Sequence, residues 1–437
     1  MKDSLRVRAP TDETHCKQVQ IATSRTHDAD ALAAEDLRVD YRLCPTGSPQ
    51  RVLRDRLRAE PDIDLKLYKC AAVFDWLDIA VLCSDLVSAK AVHRAIKRRG
   101  PKIWISGPER KKHYHGDVIV ARLQDPTRAK VSELCQHLSE AVAEQGAAVI
   151  STPQLFGMEL AIDFYVRHAR ELSDLELIGR RARMSDLLRK LFAMPGVFRD
   201  PELLGTCQDW PRFCDGRPGK GHLFQERIGE GTRSMNDCER LLRAAGTPFF
   251  HQRVPLNSTL YFGAKSRPIR YRLQDKISDN RKSEEDYDPL PLKERRSRIE
   301  VSLVNKDWEE EGLLGALDLR DVADLHGFKP DTLRKAFFNF SLPTFGVTEA
   351  NTPDLKEWSI FERTGVTGLD LYHRSRNEQE RAKTLHRRGS RAPTPRVLEE
   401  KGRLMAYSQL NDMVRRAMSK TVEAYLGEEP LALRLAA

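Results

Sequence analysis

Two segments of this chain alternate charged and apolar residues with the strict period of a β-strand. Residues 156–166 read FGMELAIDFYV and place Glu159 and Asp163 on one side, with apolar residues between them. Residues 295–303, RRSRIEVSL, place Glu300 in the same way. Successive side chains of a strand point to opposite faces, so both segments predict strands with one apolar and one polar face.

The neighbouring segments predict a sheet flanked by helices. LYKCAAVFDWLDIAVL and DVIVARLQ are β-rich, and each is followed by a helix-like segment, VSAKAVHRAIKRRG and VSELCQHLSEAVAEQG. This order predicts an α+β fold with an antiparallel or mixed sheet, followed by a helical region. The predicted divisions are a poorly ordered tail at 1–55, a sheet domain at 56–312 with an irregular insertion at about 205–245, a helix-turn-helix region at 313–365, and a basic linker with a C-terminal helix at 366–437.

Charge and cysteine usage bear on the kind of partner and on the compartment. The 437 residues carry a net charge of +9, which favours a polyanionic partner such as nucleic acid. The eight cysteines show no CxxC spacing, and neither a signal peptide nor a long apolar run is present. We therefore expect a cytoplasmic protein with reduced thiols and no membrane partner.

Carboxylates on one strand face can hold a hard divalent cation such as Mg²⁺ or Mn²⁺. Glu159, Asp163 and Glu300 are the candidates, and Asp75 joins them because it interrupts the apolar run FDWLDIAV. The alternative is a solvated sheet face on which these acids pair with arginines. His113 and His115 form a rival His-x-His metal pair, but their lysine-rich setting indicates a surface turn.

Residues 317–340, LDLRDVADLHGFKPDTLRKAFFNF, match the helix-turn-helix pattern. Ala323 is small where the first helix needs it, Gly327 suits the turn, and Leu333 can pack the second helix. The alternative is a plain helical hairpin inside a core. The side chains expected near DNA are Lys329, Thr332, Arg334 and Lys335.

The order of these motifs resembles the replication initiation factor family, the rolling-circle initiators and conjugative relaxases of the Rep-trans type. The segments that carry the resemblance lie within about residues 70–310 and are FDWLDIAV, ELAID, LYFGAKSRPIRYRLQDK and SRIEVSL. The resemblance implies that Asp75, Glu159, Asp163 and Glu300 bind a divalent metal. It also implies that a tyrosine attacks a DNA phosphate and forms a covalent link.

The family closes its hairpin strand with an Arg-Ile-Tyr-x-Lys pattern, and this chain has Gln274 where the family has that tyrosine. Tyr271 is the candidate nucleophile, with Tyr261 and Tyr287 as alternatives, although Tyr271 needs a bulge to reach the same strand face. The cations expected to assist at the phosphate are Lys276 as a catalytic group and Arg270 and Arg272 as DNA contacts.

The leading hypothesis is therefore a DNA strand-nicking initiator or relaxase. Its expected partners are duplex origin DNA, the melted single strand and a helicase, and the C-terminal helix pattern suits capping of the fold or a homodimer. The competing hypothesis is a DNA-binding regulator that keeps the fold and lacks the nucleophile, which Gln274 favours.

Overall fold

The fold is given by a computed structural model. It describes residues 5–7, 38–98, 103–109, 113–193, 212–214, 259–262, 268–277, 290–305, 312–326, 329–348, 352–362, 365–370, 372–373 and 403–426. The fold is α+β, as predicted, and the strand pairs in this part of the chain are antiparallel. The insertion at about 205–245 and the basic linker lie largely outside the described residues.

The described residues form a central sheet of eight strands. In spatial order they are β5 (Ile103–Ser106), β6 (His115–Gln124), β4 (Tyr68–Ser88), β7 (Gln154–Val166), β12 (Arg296–Val304), β11 (Ile269–Lys276), β10 (Thr259–Phe262) and β9 (Arg212–Cys214). The two segments with alternating acids are thus neighbours at the centre of the sheet, and β4 borders them on one side.

One face of this sheet is apolar and covered by helices. It carries residues such as Leu160, Ile299 and Leu273, all buried in the main core. Among the helices that contribute to this core are α1 (Ala89–Lys97), α2 (Arg128–Ala143), α3 (Asp174–Leu191) and α8 (Ser408–Leu426). Ser173 and Glu176 start α3 with a reciprocal capping box. None of the described helices has both the length and the apolar character needed to cross a membrane.

A second sheet joins the two ends of the chain. The strands are β1 (Leu5–Val7), β2 (Tyr41–Pro45), β3 (Arg56–Pro61), β8 (Phe192–Ala193), β13 (Asn339–Gly346) and β14 (Leu404–Ala406). Their spatial order is β1-β2-β3-β13-β14, and β8 also pairs with β13. The sequence predicts no strand in the first 55 residues, whereas β2 belongs to this sheet and its Tyr41 is buried.

The segment predicted as a helix-turn-helix is shorter than a standard motif. A four-residue helix, α4 (Gly312–Gly315), is followed by a five-residue 3₁₀ helix at Val322–His326 and by the eight-residue α5 (Pro330–Phe337). The chain then enters β13 directly, in keeping with the strand preference of its aromatic residues. Helical residues at 355–362 (α6) and 365–370 (α7) follow.

Candidate metal centre and nucleic-acid face

The sheet face opposite the helices carries the charged residues of β7, β12 and β11, such as Glu159, Glu300 and Arg272, and we call it the polar face. Strand register places matching residues side by side: Arg272 pairs with Glu300, and Ser302 pairs with Glu159. Glu159 in turn pairs with Trp76 of β4. The regular alternation predicted for β7 and β12 therefore holds, and it aligns their charged side chains across adjacent strands.

Asp75 reaches the polar face through an irregularity in β4. Against β7, Phe74 pairs with Leu160 and Trp76 with Glu159, so Asp75 is an extra residue in β4. A bulge of this kind re-aims a side chain without ending the strand. Because of it, Asp75 can approach Glu159 while Phe74 stays buried in the core.

The structure brings Asp75, Glu159 and Glu300 together from three different strands. One carboxylate oxygen from each of them lies within 4.8 Å of the others. The side chains of Glu159 and Glu300 are 4% and 1% exposed, and that of Asp75 is 18% exposed. Three oxygen ligands at this spacing suit a hard divalent cation, and we call this group the acid triad.

Two arginines contact the acid triad. Arg298 donates to Asp75 at 2.6 Å and to Glu300 at 3.4 Å. Arg272 donates to Glu300 at 2.5 Å and to Glu159 at 3.1 Å. The alternative considered from the sequence, acids paired with arginines, is thus also present. The side chain of Arg298 is 3% exposed whereas that of Arg272 is 30% exposed, so Arg272 is the arginine with room to move.

The electrostatics of the acid triad indicate a shortage of positive charge. Burial raises the pKa of Asp75, and Arg298 offsets this only in part. Burial also raises the pKa of Glu300 despite the nearby Arg272, and the neighbouring charge of Glu159 raises it further. A cation between these oxygens would relieve both the burial penalty and the repulsion between like charges.

Asp163 does not belong to the acid triad, contrary to the ligand set expected from the sequence. Its two oxygens accept from Arg298 at 2.5 and 2.6 Å and from Arg296 at 3.1 Å. Tyr165 donates a further hydrogen bond to it at 3.3 Å. Asp163 therefore holds Arg298 in place, and it acts on the acid triad only through that arginine.

Tyr271 does not lie at the acid triad, so its assignment as the nucleophile is wrong. Its side chain is fully buried on the apolar face, with its ring centroid 5.1 Å from that of Phe192. The pairing of β11 with β12 runs without a shift, so no bulge turns Tyr271 to the other face. Burial also raises the pKa of Tyr271 well above its usual value, which opposes formation of a phenolate.

Gln274 stands on the polar face where the resemblance expects a tyrosine. Its amide donates to Glu300 at 2.6 Å, so this position does face the acid triad. Arg270 and Lys276 lie on the same face of β11, paired with Ser302 and Arg296. Of the two alternative nucleophiles, Tyr261 pairs by register with Arg272. The other, Tyr287, lies outside the described residues.

Of the residues expected to contact duplex DNA, Lys329, Thr332 and Lys335 are exposed on or beside α5. The side chain of Arg334 is 12% exposed and donates to Asp331 at 2.9 Å. Leu333 is buried in the core, which fits its predicted packing role. The exposed side of α5 therefore carries lysines, and Lys335 is paired there with Asp331 at 2.7 Å.

A planar stack near the edge of the polar face has no counterpart in the sequence predictions. The guanidinium of Arg122 lies 3.7 Å from the ring centroid of Trp76. Asp78 accepts two hydrogen bonds from this guanidinium, at 2.6 and 2.7 Å. Gly157 leaves room for the stack, because a Cβ there would lie 3.1 Å from both Trp76 and Asp78. The sequence signal that could have indicated this stack is the spacing of Trp76 and Asp78, because residues two apart in a strand share a face.

Comparison with known proteins adds no assignment. No protein-family model matches this chain, and no curated protein matches it.

Proposed function

We propose that this chain is a DNA-binding protein of the rolling-circle initiator type. In this proposal the polar face of the central sheet receives a single DNA strand beside a divalent cation held by Asp75, Glu159 and Glu300. The observation that carries the proposal is the convergence of three carboxylates from three strands within 4.8 Å. A cation bound there would polarise a phosphodiester and neutralise its charge.

Arg272 is the side chain through which the cation and the DNA would interact. Its guanidinium bridges Glu159 and Glu300 and so occupies the place of a cation between two ligands. A divalent ion would displace this guanidinium, which is the more exposed of the two arginines at the acid triad. The displaced guanidinium would be free to bind phosphate oxygens in the bidentate way that arginine favours.

Manganese binding to the purified chain tests the acid triad directly. We expect Glu159→Gln and Glu300→Gln to weaken binding at least about 10-fold, the loss that even outer-sphere partners cause. Glu133→Gln, an exposed site on α2, is the matched control and should bind as the wild type does. Binding should also weaken as the pH falls, because Asp75 and Glu300 have raised pKa values and protons compete with the metal. Equal binding by all variants would contradict the proposed site.

A second candidate function is DNA binding without cleavage. It is favoured by Gln274, whose amide bonds Glu300 where the resemblance expects a nucleophile, and by the burial of Tyr271 on the opposite face. An amide cannot form the covalent phosphodiester link that a phenolate forms. In this case the polar face would hold the strand and the cation for a partner enzyme.

Incubation with supercoiled plasmid and single-stranded DNA in the presence of Mn²⁺ separates the two functions. A nick with a covalent protein–DNA adduct supports cleavage, and Tyr165→Phe and Tyr261→Phe would then show which tyrosine is linked. Tyr165 lies on the polar face beside Asp163, and burial raises its pKa to about 12. Tight DNA binding without nick or adduct supports the second candidate. Absence of any DNA binding would contradict both.

A further inference from the structure

The edge of the polar face carries an exposed tryptophan beside an immobilised arginine. Trp104 of β5 is 48% exposed, while its strand neighbours Ile103 and Ile105 are buried in the core. Trp104 therefore lies on the polar face. It pairs by register with Arg122, which in turn pairs with Asp78.

Arg122 is fixed in a geometry that suits stacking. One side of its guanidinium lies against Trp76, and Asp78 holds its edge through two hydrogen bonds. The Asp78 side chain is 2% exposed, whereas that of Arg122 remains 26% exposed. A rigid planar cation next to an exposed indole is an arrangement on which unstacked bases pack, because bases stack on aromatic rings and on guanidinium planes.

We propose that Trp104 and Arg122 form a stacking platform for bases of a single DNA strand that crosses the polar face. This inference rests on the proposed function and adds to it the path of the strand. Three strand spacings separate β5 from β7, so Trp104 lies on the order of 15 Å from Glu159 of the acid triad. A strand held at the acid triad by Arg272 would reach the platform within a few nucleotides.

The charge of the face favours nucleic acid over an apolar protein partner. Arg270, Arg272 and Lys276 line β11 on the same face as the platform. A phosphate backbone that runs from these cations towards β5 would present its bases to Trp104. An apolar partner would instead have to desolvate these cations, which is costly.

Binding of labelled oligothymidylate and of a duplex, both in the presence of Mn²⁺, tests the platform. For an oligomer of about 20 nucleotides, we expect Trp104→Ala to weaken single-strand binding on the order of 10-fold, in line with the loss of one stacked base. Trp104→Phe should restore most of the affinity because it keeps an aromatic ring. Duplex binding should change less than about twofold, since a paired base cannot stack on the platform.

Leu355→Ala is the matched control, because Leu355 is an apolar residue that is 76% exposed and belongs to α6, not to a strand of the polar face. The platform is overturned if Trp104→Ala binds the oligomer as the wild type does, or if Trp104→Phe is as weak as Trp104→Ala. It is also overturned if duplex binding falls equally. Loss of single-strand binding in Arg272→Ala together with wild-type binding by Trp104→Ala would remove the platform and keep the proposed function. A wild-type chain that binds no single strand would remove both.

Discussion

Arg298 is the residue on which the charge balance of the polar face depends. Its guanidinium bonds Asp163 through two nitrogens and also reaches Asp75 and Glu300. Burial alone would lower the pKa of Arg298. The hydrogen bonds and charge of Asp163, together with the charges of the other two acids, outweigh burial and raise the pKa above its usual value. Arg298 therefore stays charged, and it stabilises three acids whose mutual repulsion would otherwise oppose folding.

We expect Arg298→Met to lower the free energy of unfolding by about 3–5 kcal/mol, because it leaves buried carboxylates without their partner. Urea denaturation at neutral pH measures the loss. Arg415→Ala is the control, since its ion pair with Asp412 is about half exposed and should contribute at most about 1 kcal/mol. A loss for Arg298→Met no larger than that of the control would contradict this account.

Tyr271 is expected to act only in packing. Tyr271→Ala should lower the free energy of unfolding by about 3–5 kcal/mol, the usual cost of removing a buried aromatic ring. Tyr271→Phe keeps the ring beside Phe192 and should leave DNA binding and manganese binding unchanged. These are measured by urea denaturation and by the binding assays above. Loss of a covalent DNA adduct in a folded Tyr271→Phe variant would refute this assignment.

At the scale of elements, the C-terminal helix α8 completes the apolar side of the central sheet. Its buried residues Leu410, Val414 and Met418 belong to the main core. Thr421 donates to the backbone oxygen of Ala72 in β4 at 2.6 Å. The helix pattern found in the sequence therefore caps the fold, which was one of its two expected roles.

The start of α8 is attached to β13 by Asn411. Its side-chain amide donates to the backbone oxygen of Phe340 at 2.8 Å and its oxygen accepts from the Phe340 backbone N–H at 3.0 Å. Asn411→Ala should cost about 2 kcal/mol, because it leaves two partly buried backbone groups unpaired. Gln409→Ala, exposed in the same turn, should cost less than about 0.5 kcal/mol. Thermal or urea denaturation measures both variants. Equal losses of the free energy of unfolding in the two variants would contradict this role of Asn411.

At the scale of the whole molecule, a buried ionic group connects distant parts of the chain. Glu357 of α6 accepts from Arg56 of β3 and from the backbone N–H of Gly346, both at 2.7 Å. The ring of His373 lies 2.9 Å from Glu357, and Arg403 is 3.9 Å away. These contacts join the N-terminal strands, β13 and the C-terminal region.

The ionisation of Glu357 makes this group sensitive to acid. Burial alone would raise the pKa of Glu357, but the hydrogen bond and charge of His373 and the charge of Arg56 outweigh it and lower the pKa to about 2. Burial lowers the pKa of His373, so the unfolded chain binds that proton more readily. Both groups therefore stabilise the fold at neutral pH. Their contribution declines as the pH falls, first below about 6.5 for His373 and then from about 4.5 towards 2 for Glu357.

We expect Glu357→Gln to lower the free energy of unfolding at pH 7 by about 3 kcal/mol, consistent with the shift in its pKa. The difference between wild type and variant should shrink as the pH falls from about 4.5 towards 2. Taking the difference matters because Asp75 and Glu300, with raised pKa values, change stability in the opposite direction. Urea denaturation across this range measures it, and a difference that does not depend on pH would contradict the assignment.

Local alternation of apolar and charged residues was enough to predict the strands that carry Glu159, Asp163 and Glu300 and the face on which these three acids lie. The period of two in 156–166 and 295–303 is local, so it needs no knowledge of neighbouring strands. The same period predicts that Tyr271 and Arg272, which are adjacent in β11, point to opposite faces of the sheet. Local pattern did not predict β13, which follows α5 directly. This strand forms because it pairs with strands from distant parts of the chain in the second sheet.

Which of these acids share a site depends instead on how the strands are arranged in the sheet. Strand order is a long-range property, and it places β12 beside β7. A bulge in β4 brings Asp75 to the acid triad. Asp163 pairs with Arg298 and so does not belong to the acid triad. Pairing strengths between candidate partners depend on burial and on distances of a few ångströms, which spacing along the chain does not encode. For the same reason Trp104 and Arg122, separated by 17 intervening residues, became neighbours only when β5 paired with β6.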